Sequence, residues 1–199
     1  MVTTMTNKHM NRRDAVEKLL AARNGALVVT GLGSPSYDVH ACGDRDDNYY
    51  LWGAMGGAAL TGLGLAQAQP DKRVMVITGD GEQLMAFGSL ATIAVAAPAN
   101  LDVIVLDNQH FGETGMQSSH TGQGIDFSTI AASCGFARTG LISSLAEVDA
   151  LCEELQQTAD GPRLFVLKIA AENMPRSLPP RDATFVKNRF RAHLGFEPN

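Results

Sequence analysis

The sequence predicts an open α/β domain: a doubly wound parallel sheet of five to six strands flanked by helices. Three observations carry that expectation. Apolar, β-branched runs recur at 26–30, 73–78, 101–106 and 164–169, and none alternates with polar residues, the pattern of strands buried on both faces. The stretches between them are long enough for helices. Loops following the runs begin with glycine or carboxylate and amide residues, as at Gly31, Gly79-Asp80-Gly81 and Asp107-Asn108.

Taken in order, Asn11 or Asp14 caps a helix through Ala22, and Asn24-Gly25 ends it. The strand 26–30 runs into Gly31-Leu32-Gly33-Ser34-Pro35-Ser36. Pro35, and Ser36 in place of a third glycine, argue against a dinucleotide fingerprint there. A strand-to-helix turn capped by Ser34 or Ser36 is the plain alternative to a phosphate-contacting loop. Residues 40–50, with Asp44, Arg45, Asp46 and Asp47, read as a solvated surface loop without the alternation of a calcium site. The uncharged run 53–69, rich in Gly and Ala, is short for a membrane span and predicts a tightly packed helix. A second uncharged run, 83–99, predicts one helix too apolar to face water. Asp126 caps a helix through Cys134, 135–139 is a short strand, and 145–157 is an amphipathic helix. Three prolines make an extended tail before a basic helix from Asp182 to about His193, whose charged face is solvated or subunit-facing.

At 199 residues the chain can bury roughly 70% of its unfolded surface. A net charge of −5 argues against nucleic acid or an anionic membrane as partner. The polar first ten residues carry no apolar secretion signal. Cys42, Cys134 and Cys152 show neither metal spacing nor a disulfide framework, which points to a reducing cytoplasm.

The chemistry concentrates between Gly79 and Gln117. Asp80 and Asn108 each fall just past the C-terminal end of a strand, where ligands bind in open α/β sheets. A carboxylate and an amide oxygen there are hard ligands for a divalent cation, and the following helix start favours phosphate. A lone Gly-Asp-Gly is often only a turn. With Asn108 separated from Gly81 by 26 residues at the end of a second strand, it becomes specific.

That arrangement resembles the diphosphate-binding domain of thiamine-diphosphate enzymes, over residues 26 to about 169. The resemblance implies Mg²⁺ held by Asp80, Asn108 and the carbonyl of His110, with the cofactor's diphosphate on the metal. It places Gly33, Ser34, Gly79, Gly81, Glu82, Phe111 and Gly112 around the cofactor. Glu82 departs from the family's usual small residue, and its carboxylate is expected to turn outward, away from the phosphates. Met55 stands where the acetolactate-synthase branch props the thiamine, and the Gly53 carbonyl where it accepts a hydrogen bond from the aminopyrimidine, with Ala54 between them. Thr114-Gly115-Met116-Gln117 resembles the loop of phosphonopyruvate and sulfopyruvate decarboxylases, with Met116 in place of a glycine. His110, Glu113 and His120 are candidate proton donors. The glutamate that activates the cofactor comes from a second domain in this family, and nothing here stands in that context. The implied protein is therefore a decarboxylase β subunit acting on a small 2-oxo acid. It would pair with an α subunit in an α₂β₂ or larger hetero-oligomer. The thiamine subunit of a 2-oxoacid oxidoreductase, an acetolactate-type enzyme and a non-catalytic binding subunit are the alternatives. The implied organisation is a helical lead-in over 1–25, the cofactor domain over 26–170, and a Pro-rich tail with a helix over 171–199.

Overall fold

The computed structural model describes residues 9–197, so the first eight residues of the predicted lead-in lie outside it. Helix α1 (Arg12–Ala21) starts where the side chain of Asn11 accepts the N–H groups of Arg13 and Asp14. The elements that follow are β1 (Leu27–Thr30), α2 (Ser34–Ala41), β2 (Asn48–Tyr50), α3 (Ala58–Ala68), β3 (Val74–Gly79), α4 (Asp80–Met85) and α5 (Ser89–Ala96). Then come β4 (Leu101–Asp107), a hairpin of β5 (His110–Phe111) with β6 (Gln117–Ser118), α6 (Phe127–Cys134), β7 (Arg138–Ile142), α7 (Leu145–Leu155), β8 (Arg163–Lys168) and α8 (Ala183–His193).

Six strands form one parallel sheet in the order β2-β1-β3-β4-β8-β7. Successive residues of each central strand point to opposite faces, and both faces are covered. Val74, Val76, Val103 and Val105 join a core with α3, α5, α6 and α8. Met75, Ile77, Ile104 and Leu106 join a second core with α1, α2 and α7. Each such side chain, fully buried, contributes about 1.5–3 kcal/mol of transfer free energy. α3 lies close on the sheet because residue 62 is glycine: a Cβ there would fall 2.2 Å from Val76 Cγ2. The chain moves from β1 to β2 on one side and then to β3 on the other. That reversal opens a crevice between the C-terminal ends of β1 and β3.

Several expectations are corrected. The run 83–99 is not one helix: α4 ends at Met85, and Ala86–Gly88 turn the chain before α5. Nor is it hidden from water, since Met85 is 65% and Val95 89% exposed. The helix expected from residue 53 starts only at Ala58, because Gly53 and Gly56 take positive φ in the preceding turn. Neither Ser34 nor Ser36 caps α2. Its N-cap is Gly33, and the Ser36 hydroxyl donates back to the Gly31 carbonyl. The expected strand at 135–139 forms three residues later, paired with β8. Residues 40–50 are not all solvated, because Asn48–Tyr50 form an edge strand and Asp47 is buried against Arg23 at 2.8 Å. The basic helix is only partly solvated, since Arg189 folds onto Asp44 at 2.6 Å.

Candidate cofactor-binding site

Strands β3 and β4 pair in register, Gly79 opposite Leu106, so Asp80 and Asn108 leave the sheet side by side. Asp80 is 3% exposed. Its Oδ2 accepts the hydroxyls of Ser119 at 2.5 Å and Thr121 at 3.1 Å. The Thr121 hydroxyl also lies 2.7 Å from Asp107 Oδ1, and the other Asp107 oxygen pairs with Lys168. Burial pushes the Asp80 carboxyl above the usual carboxylate range and the charge of Asp107 adds to this, while Ser119 and Thr121 pull the other way. A dry carboxylate beside a second one is a setting that a divalent cation relieves.

The donor set also suits such an ion: one carboxylate, one amide and backbone carbonyl oxygen, the hard ligands of Mg²⁺. Among the described residues there is no cluster of three or more His, Cys, Asp or Glu able to hold a metal. A metal at this edge would therefore rest on Asp80 and neutral oxygens. The Asn108 side-chain oxygen accepts the N–H of His110 at 2.9 Å, which folds residues 108–110 into a tight turn with Gln109 at φ 62°.

A cleft of about 630 Å³, counting the solvent at its mouth, opens over these residues. Gly79, Asp80, Gly81 and Asn108 are in its lining. Ser34 and Met55 line it as well, as do His110, Phe111, Gly112 and Glu113. Gly33, Gly53 and Ala54 flank the cleft without lining it. Gly33 is buried against Glu113, whereas Gly53 and Ala54 are exposed.

Glu82 does not turn outward. It lines the cleft and is 4% exposed, so the expected orientation is wrong. Its carboxylate accepts the Thr78 hydroxyl at 2.9 Å and the N–H of Gly56 at 3.3 Å, and the backbone of Ala58 and Leu32 also bears on it. One side chain thus ties β3, the start of α3 and the loop after β1. Burial pushes its carboxyl upward against these hydrogen bonds. Phosphate repulsion did not decide its direction, because unpaired N–H groups of the loop and the α3 start offered it partners inside.

The candidate proton donors are held in different ways. His110 Nδ1 lies 2.8 Å from the Asn108 carbonyl oxygen, which fixes the ring. Glu113 is paired with Arg176 at 2.9 Å. His120 is exposed, with its ring edge-on to Phe111 at 6.4 Å.

Residues 37–168 match the family described as thiamine pyrophosphate enzyme, C-terminal TPP binding domain. The chain belongs to this family. A phosphonopyruvate decarboxylase of Streptomyces viridochromogenes is 38% identical over 92% of this chain and 46% of its own length. The sulfopyruvate decarboxylase subunit beta of Methanothermobacter thermautotrophicus is 33% identical over 91% of this chain and 94% of its own. The chain therefore spans less than half of the first relative and nearly all of the second. A solved thiamin diphosphate-dependent enzyme from Mycobacterium smegmatis shares the fold with a TM-score of 0.69 at 22% identity, covering 81% of this chain and 32% of that one.

Some residues at or beside this cleft were not found from sequence. Ser119 and Thr121 reach Asp80 from 39 and 41 residues away, and no spacing signals that contact. Arg176 meets Glu113, a lining residue, from the tail. Arg12, on a helix read only as a lead-in, lines the cleft.

Proposed function

We propose that this chain is the β subunit of a split thiamine-diphosphate-dependent decarboxylase. It would act on a small 2-oxo acid of the sulfopyruvate or phosphonopyruvate kind in the reducing cytoplasm. The observation that carries the reading is the pairing of β3 with β4, which brings Asp80 and Asn108 together in the lining of the cleft. Asp80, Asn108 and the His110 carbonyl would hold Mg²⁺, with Gly79, Gly81 and the N-terminus of α4 against the diphosphate. When bound, the cofactor supplies the nucleophilic carbon and the electron sink that loss of CO₂ requires. Ser119 and Thr121 keep the Asp80 carboxylate oriented, and Glu82 ties β3, the start of α3 and the loop after β1 together. Met55, 46% exposed in the lining, stands ready to support the ring end of the cofactor together with Gly53 and Ala54. His110 and Glu113 line the cleft as candidates to hold or deliver a proton, with Phe111 and Gly112 between them in the chain and in the lining.

The missing activating glutamate is assigned to an α subunit. Exposed apolar side chains support such a partner: Met55 in the cleft lining and Met85, Phe87 and Val95 on the run that follows Glu82 are exposed, and no charged residue lies between 83 and 99. Lead-in, cofactor domain and tail keep the boundaries 1–25, 26–170 and 171–199 in this proposal. Among the described residues no helix is long and apolar enough to cross a membrane.

A tagged pull-down with Mg²⁺ and thiamine diphosphate tests the reading. A stoichiometric second chain that turns over a 2-oxo acid with this one is the expected result. Turnover by this chain alone would remove the α-subunit argument. Activity that survives Asp80→Ala would support a non-catalytic binding role.

A further inference from the structure

Helix α1 brings a buried cation to the cofactor cleft. Arg12 is 4% exposed, and among the described residues lining the cleft it is the one lysine or arginine. Its Nε donates to Asp38 Oδ2 and its Nη1 to the Glu172 carbonyl, both at 2.6 Å. Nη2 has no hydrogen-bond partner among the described residues, yet it is not among the sealed, unpartnered atoms of the interior. The other oxygen of Asp38 is taken by Arg13 at 3.0 Å. Asp38 is fully buried, so two guanidinium charges share one carboxylate. Arg13 does not line the cleft and spends a further donor on the Pro175 carbonyl. The surplus positive charge therefore has one outlet into the cleft, through Arg12.

A buried ion pair is by itself a weak source of stability. An arginine pinned along one edge with its far nitrogen open is, by contrast, preorganised to donate to an oxyanion. Ser34 and Asn108 line the same cleft and offer further polar contacts.

We propose that Arg12 is an oxyanion-binding residue of this cleft, donating from Nη2 to a phosphoryl, phosphonate or sulfonate oxygen. The inference rests on the cofactor reading above. Two sources present that chemistry here: the diphosphate of the cofactor, and the anionic tail of a phosphono- or sulfo-substituted 2-oxo acid.

The test uses the full chain, with any subunit that copurifies, as Arg12→Met, Arg12→Lys and Arg13→Met. Each is titrated calorimetrically at fixed Mg²⁺ with thiamine diphosphate, inorganic pyrophosphate, 3-phosphonopyruvate and pyruvate. If the diphosphate is the source, Arg12→Met weakens thiamine diphosphate and pyrophosphate at least tenfold. If the substrate tail is the source, it weakens 3-phosphonopyruvate at least tenfold and leaves pyruvate unchanged. Arg12→Lys falls between, and Arg13→Met stays within twofold throughout. Should Arg12→Met fail to fold, Arg12→Lys decides, with a threefold or greater loss expected. The inference is overturned if the Arg12 variants bind every ligand within twofold of the unaltered chain. Equal losses in the Arg12 and Arg13 variants would overturn it too, because Arg12 would then only tie α1 to α2. An unaltered chain that binds neither thiamine diphosphate nor pyrophosphate overturns the cofactor reading and, with it, this one.

Discussion

Replacing Gly31 by alanine sets a methyl group against a buried carboxylate. A Cβ at residue 31 falls 1.5 Å from Glu82 Oε2 and 2.5 Å from its carboxyl carbon, so Glu82 has to leave its seat. The displaced carboxylate gives up the Thr78 hydroxyl and the N–H of Gly56. With about 1–3 kcal/mol for overpacking and about 1.5–3 kcal/mol for hydrogen bonds to a charged acceptor, Gly31→Ala is expected to cost about 3–5 kcal/mol. Glu82→Ala alone is expected to cost about 2–4 kcal/mol, because it leaves the Thr78 hydroxyl and loop N–H groups without an acceptor. In the double variant the new methyl enters the space the carboxylate vacates. The two losses then fall short of additive by about 2 kcal/mol or more. Equilibrium urea unfolding, with m shared across the four proteins, measures the cycle. Losses that add to within about 0.5 kcal/mol would refute the contact.

Asp80→Ala is expected to abolish Mg²⁺-dependent uptake of thiamine diphosphate, measured by calorimetry, while far-UV circular dichroism stays unchanged. Arg163→Met is expected to destabilise by about 3 kcal/mol, because it leaves the buried Asp102 with only the longer contact to Arg73 at 3.3 Å; the native guanidinium meets both Asp102 oxygens, at 2.6 and 3.1 Å. The shortfall would show in the same urea titration, with cofactor affinity little altered. Burial pushes the Cys42 thiol up to about 11. Its folded value thus lies above its ordinary value near 9, so its contribution to stability is full below pH 9 and is lost as pH rises from 9 through 11. Its thiolate fraction at pH 8 is about a hundredfold lower than that of an ordinary thiol. Native Cys42 should accordingly be alkylated far more slowly than in the urea-unfolded chain, and equal rates would contradict the burial. Asn11→Ala is expected to cost about 1 kcal/mol through loss of the α1 cap, read as a lower thermal midpoint.

The parts of the site legible in the sequence were those that local chemistry fixes. Gly79-Asp80-Gly81 and Asn108 follow apolar strands, and neighbouring parallel strands in one sheet bring such ends together. Asn11, Asp126 and Asp182 announced their helices because a cap acts through the next three residues. The hairpin candidates were legible as residues near the site, but the partners that hold them were not. Glu113 meets Arg176 across 63 residues, a separation over which sequence pattern carries no signal.

The sequence by itself determined the fold class, the strand ends that carry the site and most of the helix starts, because burial on two faces and backbone capping are properties of short segments. Tertiary structure alone decided which way Glu82 points, that the uncharged run 83–99 breaks and faces water, and that Arg12 reaches the cleft. Each depends on groups from distant segments competing for the same partner or the same space. Glu82 turned inward because Thr78 and Gly56 offered it hydrogen bonds, and the absence of a side chain at Gly31 left it the room.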